Sequence, residues 1–396
     1  MSETWVEVPD GSPFTIDNLP YGVFSTSSHG PRVGVAIGDY VLDAAPFFDE
    51  AVWASSSLNA FMAQGPIAWH DARRRLRDAL GSSGANAAAV SHLVPARDAT
   101  LHLPFEVADY ADFYSSLSHA ENCGRILRPD GDPLTPNWRH MPLGYHGRAG
   151  TVVVSGTPIV RPHGQRREAP DAPLIFGPSQ RLDIEAEVGF VVGVPSVRGR
   201  PVAAGDFGAH VFGVVLVNDW SARDIQAWEA QPLGPFLGKS FATSISAWVV
   251  PIDALTAARI PSPPQDPPPL PYLTDDDGWG LDLALEVSLN DYVVSRPPFA
   301  SMYWTPAQQL AHLTVNGAGL RTGDLIASGT VSGSVREEWG SLLEISWGGR
   351  IPLVLGDGTR RLFLEDGDRV AVSATAPDGH GGRIGLGPVV GRIEPA

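Results

Sequence analysis

Lys239 is the one lysine among 28 basic side chains; the other 27 are arginine. Lysine is a compact charge with three donors, whereas arginine is a planar fork, so a single retained ammonium points to a place too tight for a guanidinium. Chance survival on the surface is the plain alternative. Its neighbours, Pro232-Leu233-Gly234-Pro235-Phe236-Leu237-Gly238-Lys239-Ser240, form an apolar, turn-rich loop that solvates a charge poorly. Upstream, Arg223 and Gln226 stand three apart in a segment that reads as a short helix, hence on one face. Arginine, glutamine and lysine together supply donors for a developing oxyanion and no nucleophile, which suits attack by water.

The acidic candidates lie elsewhere in the chain. In Asp183-Ile184-Glu185-Ala186-Glu187-Val188, Glu185 and Glu187 share one face of an extended strand, where they need a cation or open water between them. Asp219 ends an apolar strand just before a helix, and Asp112 precedes Phe113-Tyr114-Ser115 at the mouth of another. Four carboxylates without cysteine describe a hard oxygen site for calcium or magnesium. A solvated strand face is the simpler reading of the glutamate pair. His119 follows Asp112 by seven residues, two turns if the segment is helical, and its near-neutral pKa suits a general base. Glu344, inside Leu342-Leu343-Glu344-Ile345, is the buried acid nominated to hold its other ring nitrogen; an outward position on an edge strand is the alternative.

Other arrangements are weaker. Ser240 with His119 would resemble a hydrolase triad, but no Gly-x-Ser-x-Gly elbow frames it. Gly144-Tyr145-His146-Gly147 and Ser328-Gly329-Thr330 could cradle phosphate, but no GxxxxGK[ST] arrangement accompanies them. Cys123, the sole cysteine, excludes an internal disulfide and reads as a small core residue.

These side chains must be positioned by short elements, because 43 glycines and 36 prolines interrupt the chain. Strands are expected at 152–154, 188–194, 211–217, 247–250 and 281–289, with a weaker one at 369–373. Helices are expected at 66–80, opening on a proline, and after Thr305 and Ser221, both read as capping boxes. The later part of 110–123 should be helical and stop at Gly124. Arg73, Arg74, Arg75 and Arg77 read as one solvated helix face, and a seam is expected between Pro95 and Pro104. The proline-rich run 261–271 is stiff and extended, either a ligand for a proline-reading module or an ordered surface crossover.

At 396 residues the chain is long enough for two domains, and 43% hydrophobic with 18% charged residues is ordinary for a globular protein. A net charge of −16 argues against nucleic acid or an anionic membrane as the main partner. Residues 1–11 lack the apolar stretch of a secretory signal, and no apolar run spans a bilayer, so a soluble cytoplasmic protein is expected.

Taken together, the motifs resemble the fumarylacetoacetase family. They are DFYSS at 112–116 with His119, PLGYHGR at 142–148, SGTPI at 155–159, NDWSARDIQ at 218–226, PLGPFLGKSF at 232–241 and ASGT at 327–330, and the likeness runs almost the whole length. The resemblance implies a mainly β protein with few helices. A small N-terminal SH3-like β-barrel (residues 1–103) would precede a larger mixed β-roll (104–396), assembled as a homodimer. It implies hydrolysis of the carbon–carbon bond of 4-fumarylacetoacetate to fumarate and acetoacetate, the last step of tyrosine and phenylalanine degradation. Carried over by position, Asp112, Glu185, Glu187 and Asp219 would bind calcium, with Asp219, Lys239 and Thr243 associated with magnesium. His119 would be the base oriented by Glu344, and Arg223, Gln226 and Lys239 the oxyanion pocket. Tyr114, Arg128, Tyr145, Gln226 and Thr330 would meet substrate. The family usually places tyrosine where this chain has Ala230, which bears on affinity and preferred diketo acid. An acylpyruvate hydrolase or oxo-acid decarboxylase of the same superfamily, and a non-catalytic metal-dependent binding protein, are the alternatives.

Overall fold

Seven apolar residues in a row leave no face for solvent, and the expected strand at 211–217 is a fully buried strand, Val211–Asp219, in the computed structural model. The structure describes residues 4–48, 50–82, 87–169, 171–274 and 278–396. Ala186–Val192 pairs antiparallel along one edge of this strand, and Thr243–Ile245 and Trp248–Pro251 pair along the other. Beyond Ala186–Val192 the sheet continues through Leu325–Ala327, Tyr110–Phe113 (parallel to its neighbour) and Gly144–His146. On the far side, Trp248–Pro251 pairs with Tyr21–Thr26, which leads into His29–Ile37, Tyr40–Asp43 and Leu93–Pro95.

A second, five-stranded sheet carries Ala284–Leu289 and Arg369–Pro377 at its middle. Leu281, Leu283, Leu285, Val287 and Leu289 are all buried, as their alternation predicts. They pack in one core with Val188, Phe190, Val214 and Leu216 of the first sheet. Val215, Val217, Ile245 and Val249 join a second core with Tyr21, Phe61 and Trp69. Val191 pairs with Gly213 and Val192 with Val211, so Phe212 is the extra residue of a bulge. Past that bulge the strand's alternation inverts: Phe212 belongs to the second core, whereas Val214 belongs to the first. The chain is therefore mostly β, with an N-terminal β unit and a larger mixed-sheet part.

Several expectations need correction. The later part of 110–123 is helical as expected, but the helix, Leu117–Leu127, is capped by Ser116 and runs through Gly124 instead of stopping there, and Tyr110–Phe113 before it is a strand. Asp112 and His119 are therefore not related by helical spacing. Ser221 is no cap either, because Ser221–Ala222 is a short strand and Arg223–Glu229 starts without a side-chain cap. The box at Thr305 is present, with Thr305 accepting from Gln308 N. Arg73 is buried and donates to the Asn18 carbonyl at 2.7 Å, so it leaves the solvated face expected of it. The proline-rich run crosses the surface between Arg259–Pro261 and Pro271–Leu273. The seam at 95–104 is bridged, since Tyr21 pairs with Val249 and its ring lies 5.5 Å from that of Phe212.

Candidate active site and metal centre

The site lies along one row of the first sheet. Thr243 pairs with Asp219, Glu187 projects from the next strand, and Asp112 pairs with Tyr145 two strands further on. In a flat sheet Tyr145 would stand about 19 Å from Asp219, four strand spacings away. Its hydroxyl donates to Asp219 Oδ2 at 2.7 Å. The sheet is therefore rolled, and the rolling converts a row of acids into a pocket.

Asp112, Glu185 and Glu187 are buried, and each offers an oxygen within 4.8 Å of the others. Asp219 turns elsewhere: Oδ2 accepts from Lys239 Nζ at 2.8 Å and Oδ1 from Thr243 Oγ1 at 2.7 Å. Lys239 Nζ also donates to Glu185 Oε2, and Arg223 Nη2 lies 2.8 Å from Glu185 Oε1. Burial raises the Glu185 pKa, but the Lys239 and Arg223 charges outweigh it and bring it down to about 2. Burial lowers the Lys239 pKa, but Asp219 and Glu185 hold it above the ordinary lysine value.

Glu187 and Asp112 have no such relief. Among the described residues, both Glu187 oxygens and Asp112 Oδ1 lack a hydrogen-bond partner. Burial first, then repulsion from neighbouring acids, pushes both carboxyls well above the usual range. Unpaired buried carboxylates are costly unless protonated or neutralised by a cation. Lys239 and Arg223 are committed to Asp183, Glu185 and Asp219. The orphaned oxygens and the all-oxygen donor set fit a hard divalent ion.

His119 faces this cluster from the helix Leu117–Leu127. Ser116 Oγ accepts from His119 N at 3.3 Å and donates to the Ser332 carbonyl at 3.1 Å, which sets where the helix begins. His119, Asn122 and Cys123, at i, i+3 and i+4, lie along one helix face. His119 Nδ1 is 2.7 Å from Glu344 Oε2, and Asn122 donates to Glu344 Oε1 at 3.0 Å. Ser332 and Ser341 also donate to Glu344 Oε2, at 2.9 and 2.8 Å. Glu344 is fully buried in the short helix Leu342–Ile345, on no edge strand. Burial opposes the imidazolium, but Cys123 and Glu344 outweigh it and hold His119 well above the usual histidine range.

A cavity of about 400 Å³ joins these groups, lined among others by Tyr114, Tyr145, Gln226, Ala230, Thr330 and Leu343. Gly329, at φ +78°, lets the turn before Thr330 press on Phe113, where a Cβ would come within 2.2 Å of a carbonyl. Thr330 Oγ1 is buried and, among the described residues, has no hydrogen-bond partner. Gln226 accepts from Arg223 Nη1 at 3.4 Å. Arg128 is not brought in: it is exposed, donates to the Pro133 carbonyl at 2.8 Å and does not line the cavity. Ser240 does not line the cavity that holds His119, so the triad reading finds no support.

Three residues escaped sequence reasoning. Asp183 is fully buried and bonds Arg223. Glu229 accepts from the backbone N–H groups of Phe236, Leu237 and Gly238 at 2.9, 2.9 and 2.7 Å, tying down the short helix Leu237–Ser240 that carries Lys239. Ser341 was readable, since Ser341-Leu342-Leu343-Glu344 has the S-x-x-E spacing of a helix start. Nothing local marks Asp183 or Glu229.

Two family models match the chain. Residues 109–394 match the family model described as fumarylacetoacetate (FAA) hydrolase C-terminal, and residues 17–104 match fumarylacetoacetase N-terminal. The chain is 48% identical to fumarylacetoacetase of Rattus norvegicus and 46% to that of Homo sapiens, over 99% of this chain and of each relative. It is 47% identical to fumarylacetoacetase of Caenorhabditis elegans. Among solved structures, a fumarylacetoacetate hydrolase from Exiguobacterium antarcticum aligns with TM-score 0.57 at 16% identity, over 96% of this chain and 100% of that one. Maleylpyruvate hydrolase from Sphingobium aligns at TM-score 0.55 and 15% identity, over 96% of this chain and 100% of that one. At such identities these two speak for the fold alone.

Proposed function

The chain belongs to the fumarylacetoacetase family, and from that membership we propose that it hydrolyses 4-fumarylacetoacetate to fumarate and acetoacetate within tyrosine and phenylalanine breakdown. The observation that carries the reading is one cavity holding both a carboxylate-oriented histidine and a cluster of orphaned buried acids.

Glu344 holds Nδ1 of His119, leaving Nε2 as the basic nitrogen. His119 takes a proton from water as the water oxygen adds to the carbonyl carbon. Arg223, Gln226 and Lys239 stabilise the negative charge that forms on the carbonyl oxygen. Collapse re-forms that carbonyl as the fumarate carboxyl and breaks the carbon–carbon bond. The electron pair leaves with the acetoacetate carbon, which recovers the proton from His119. Asp112, Glu185 and Glu187 would hold a divalent cation, with Asp219 and Thr243 beside them; calcium and magnesium both suit the oxygen ligands. When bound, that ion supplies electrophilic polarisation of the dicarbonyl and neutralises the acids. Tyr114, Tyr145 and Thr330, which line the cavity, position substrate. A homodimer and a cytoplasmic setting complete the reading. Among the described residues no helix is long and apolar enough to cross a membrane.

His119→Ala is expected to abolish turnover of fumarylacetoacetate, assayed beside acylpyruvates, while the fold and assembly persist. Retention of a tenth of the activity would remove histidine from the base role; faster turnover of an acylpyruvate would reassign the substrate.

A further inference from the structure

Four N–H donors converge on one carboxylate that touches neither the cavity nor the acid cluster. Asp183 is fully buried. Its Oδ2 accepts from Arg223 Nε at 2.8 Å and from Leu343 N at 3.0 Å. Its Oδ1 accepts from Leu342 N and Ile184 N, both at 2.7 Å. Leu342 and Leu343 open the single-turn helix whose next residue is Glu344, which orients His119. Arg223 continues on to Glu185. One side chain thus bonds the segment behind the base and the guanidinium that reaches into the acid cluster.

We propose that Asp183 is the positioning residue that sets the His119–Glu344 pair and the Arg223 guanidinium in one frame. The physical reason is geometric. The two oxygens accept from two directions at once, and a carboxylate is the one small side chain with lone pairs enough for four donors. An asparagine offers a single acceptor oxygen and turns an NH2 toward donors, leaving at least one buried N–H unmet. The Leu182–Asp183 ladder with Ser221–Ala222 would still anchor the backbone. What loosens is the spacing between base and oxyanion donors, where about 1 Å of misplacement costs on the order of 100-fold in rate.

This inference rests on the proposed roles of His119 and Arg223. The test is steady-state kinetics of the full chain carrying Asp183→Asn, normalised to folded protein by circular dichroism, alone and combined with Glu344→Gln or Arg223→Ala. Asp183→Asn is expected to lower kcat by about 10- to 100-fold with KM changing by less than about 3-fold. Its effect should shrink in each double variant, because the group it positions is already disabled. A kcat within about 3-fold of the parent, or losses that multiply fully in both double variants, overturns the positioning role. Should Asp183→Asn fail to fold, Asp183→Glu takes its place with the same criteria. A parent chain that does not turn over fumarylacetoacetate indicts the proposed function instead.

Discussion

Two ways of burying charge meet within a few ångströms. Lys239 is paired with two carboxylates, whereas Glu187 has no partner at either oxygen among the described residues. The first is self-sufficient and the second calls for an added cation, so the same cluster explains both the lone lysine and the inferred ion. Lys239 could be singled out in the sequence because it is rare, and Glu185 and Glu187 because their spacing puts them on one face. Ala230 lines the cavity, at the position where the family resemblance implies a tyrosine. Ala230→Tyr is expected to lower KM for fumarylacetoacetate by about 3- to 10-fold, with kcat changed less, by adding a ring and a hydroxyl to substrate contacts. An unchanged or raised KM would mean that the position does not meet substrate.

At the scale of elements, short pieces are held by side chains rather than by their own length. A helix of four residues cannot fix its own direction, since isolated helices of that size are unstable. Leu237–Ser240 is instead fixed by Glu229 at its start and by Gly238 against Gln226, where a Cβ would come within 2.8 Å of the neighbouring backbone. Glu229→Ala is expected to reduce kcat/KM by about 10-fold through Lys239, with little change in melting temperature. Equal kcat/KM in the variant would show that the loop holds Lys239 unaided. The helix at 66–80 was legible from its opening proline and is present as Pro66–Leu80. In the segment 110–123 the helical later part was legible, but the strand Tyr110–Phe113 was not, because its parallel partner Leu325–Ala327 lies more than 200 residues away. Local pattern cannot register such a partner.

The whole molecule makes the pocket by curvature. Rolling the first sheet brings Tyr145 to Asp219 and closes the acids in, and the two cores on its faces hold that curvature. A cation that relieves the orphaned acids must stabilise the fold by mass action, by about 2.7 kcal/mol at a concentration 100 times its Kd. Chelation should therefore lower the melting temperature, and calcium or magnesium should restore it; a melting curve indifferent to both argues against the metal centre. The expected division into residues 1–103 and 104–396 crosses a shared core, in which Tyr21 and Phe61 pack on Phe212. Expressed alone, residues 104–396 should lack a cooperative melt, because they expose that core and the Trp248–Pro251 strand edge. A sharp independent transition would establish 104–396 as a self-sufficient domain.

The sequence by itself determined which chemistry is possible: hard oxygen ligands, a histidine, a donor set without a nucleophile, and motif agreement long enough to identify the family. Those properties are legible because they depend on residue type and short spacing. Only the tertiary structure decided that Asp219 serves Lys239 and Thr243 while Glu187 stays unpartnered, that Arg128 stands outside the cavity, and that Asp183 and Glu229 brace the site. Each of those outcomes turns on which buried oxygen reaches a donor first, and that is settled by sheet curvature and packing between segments far apart in the chain.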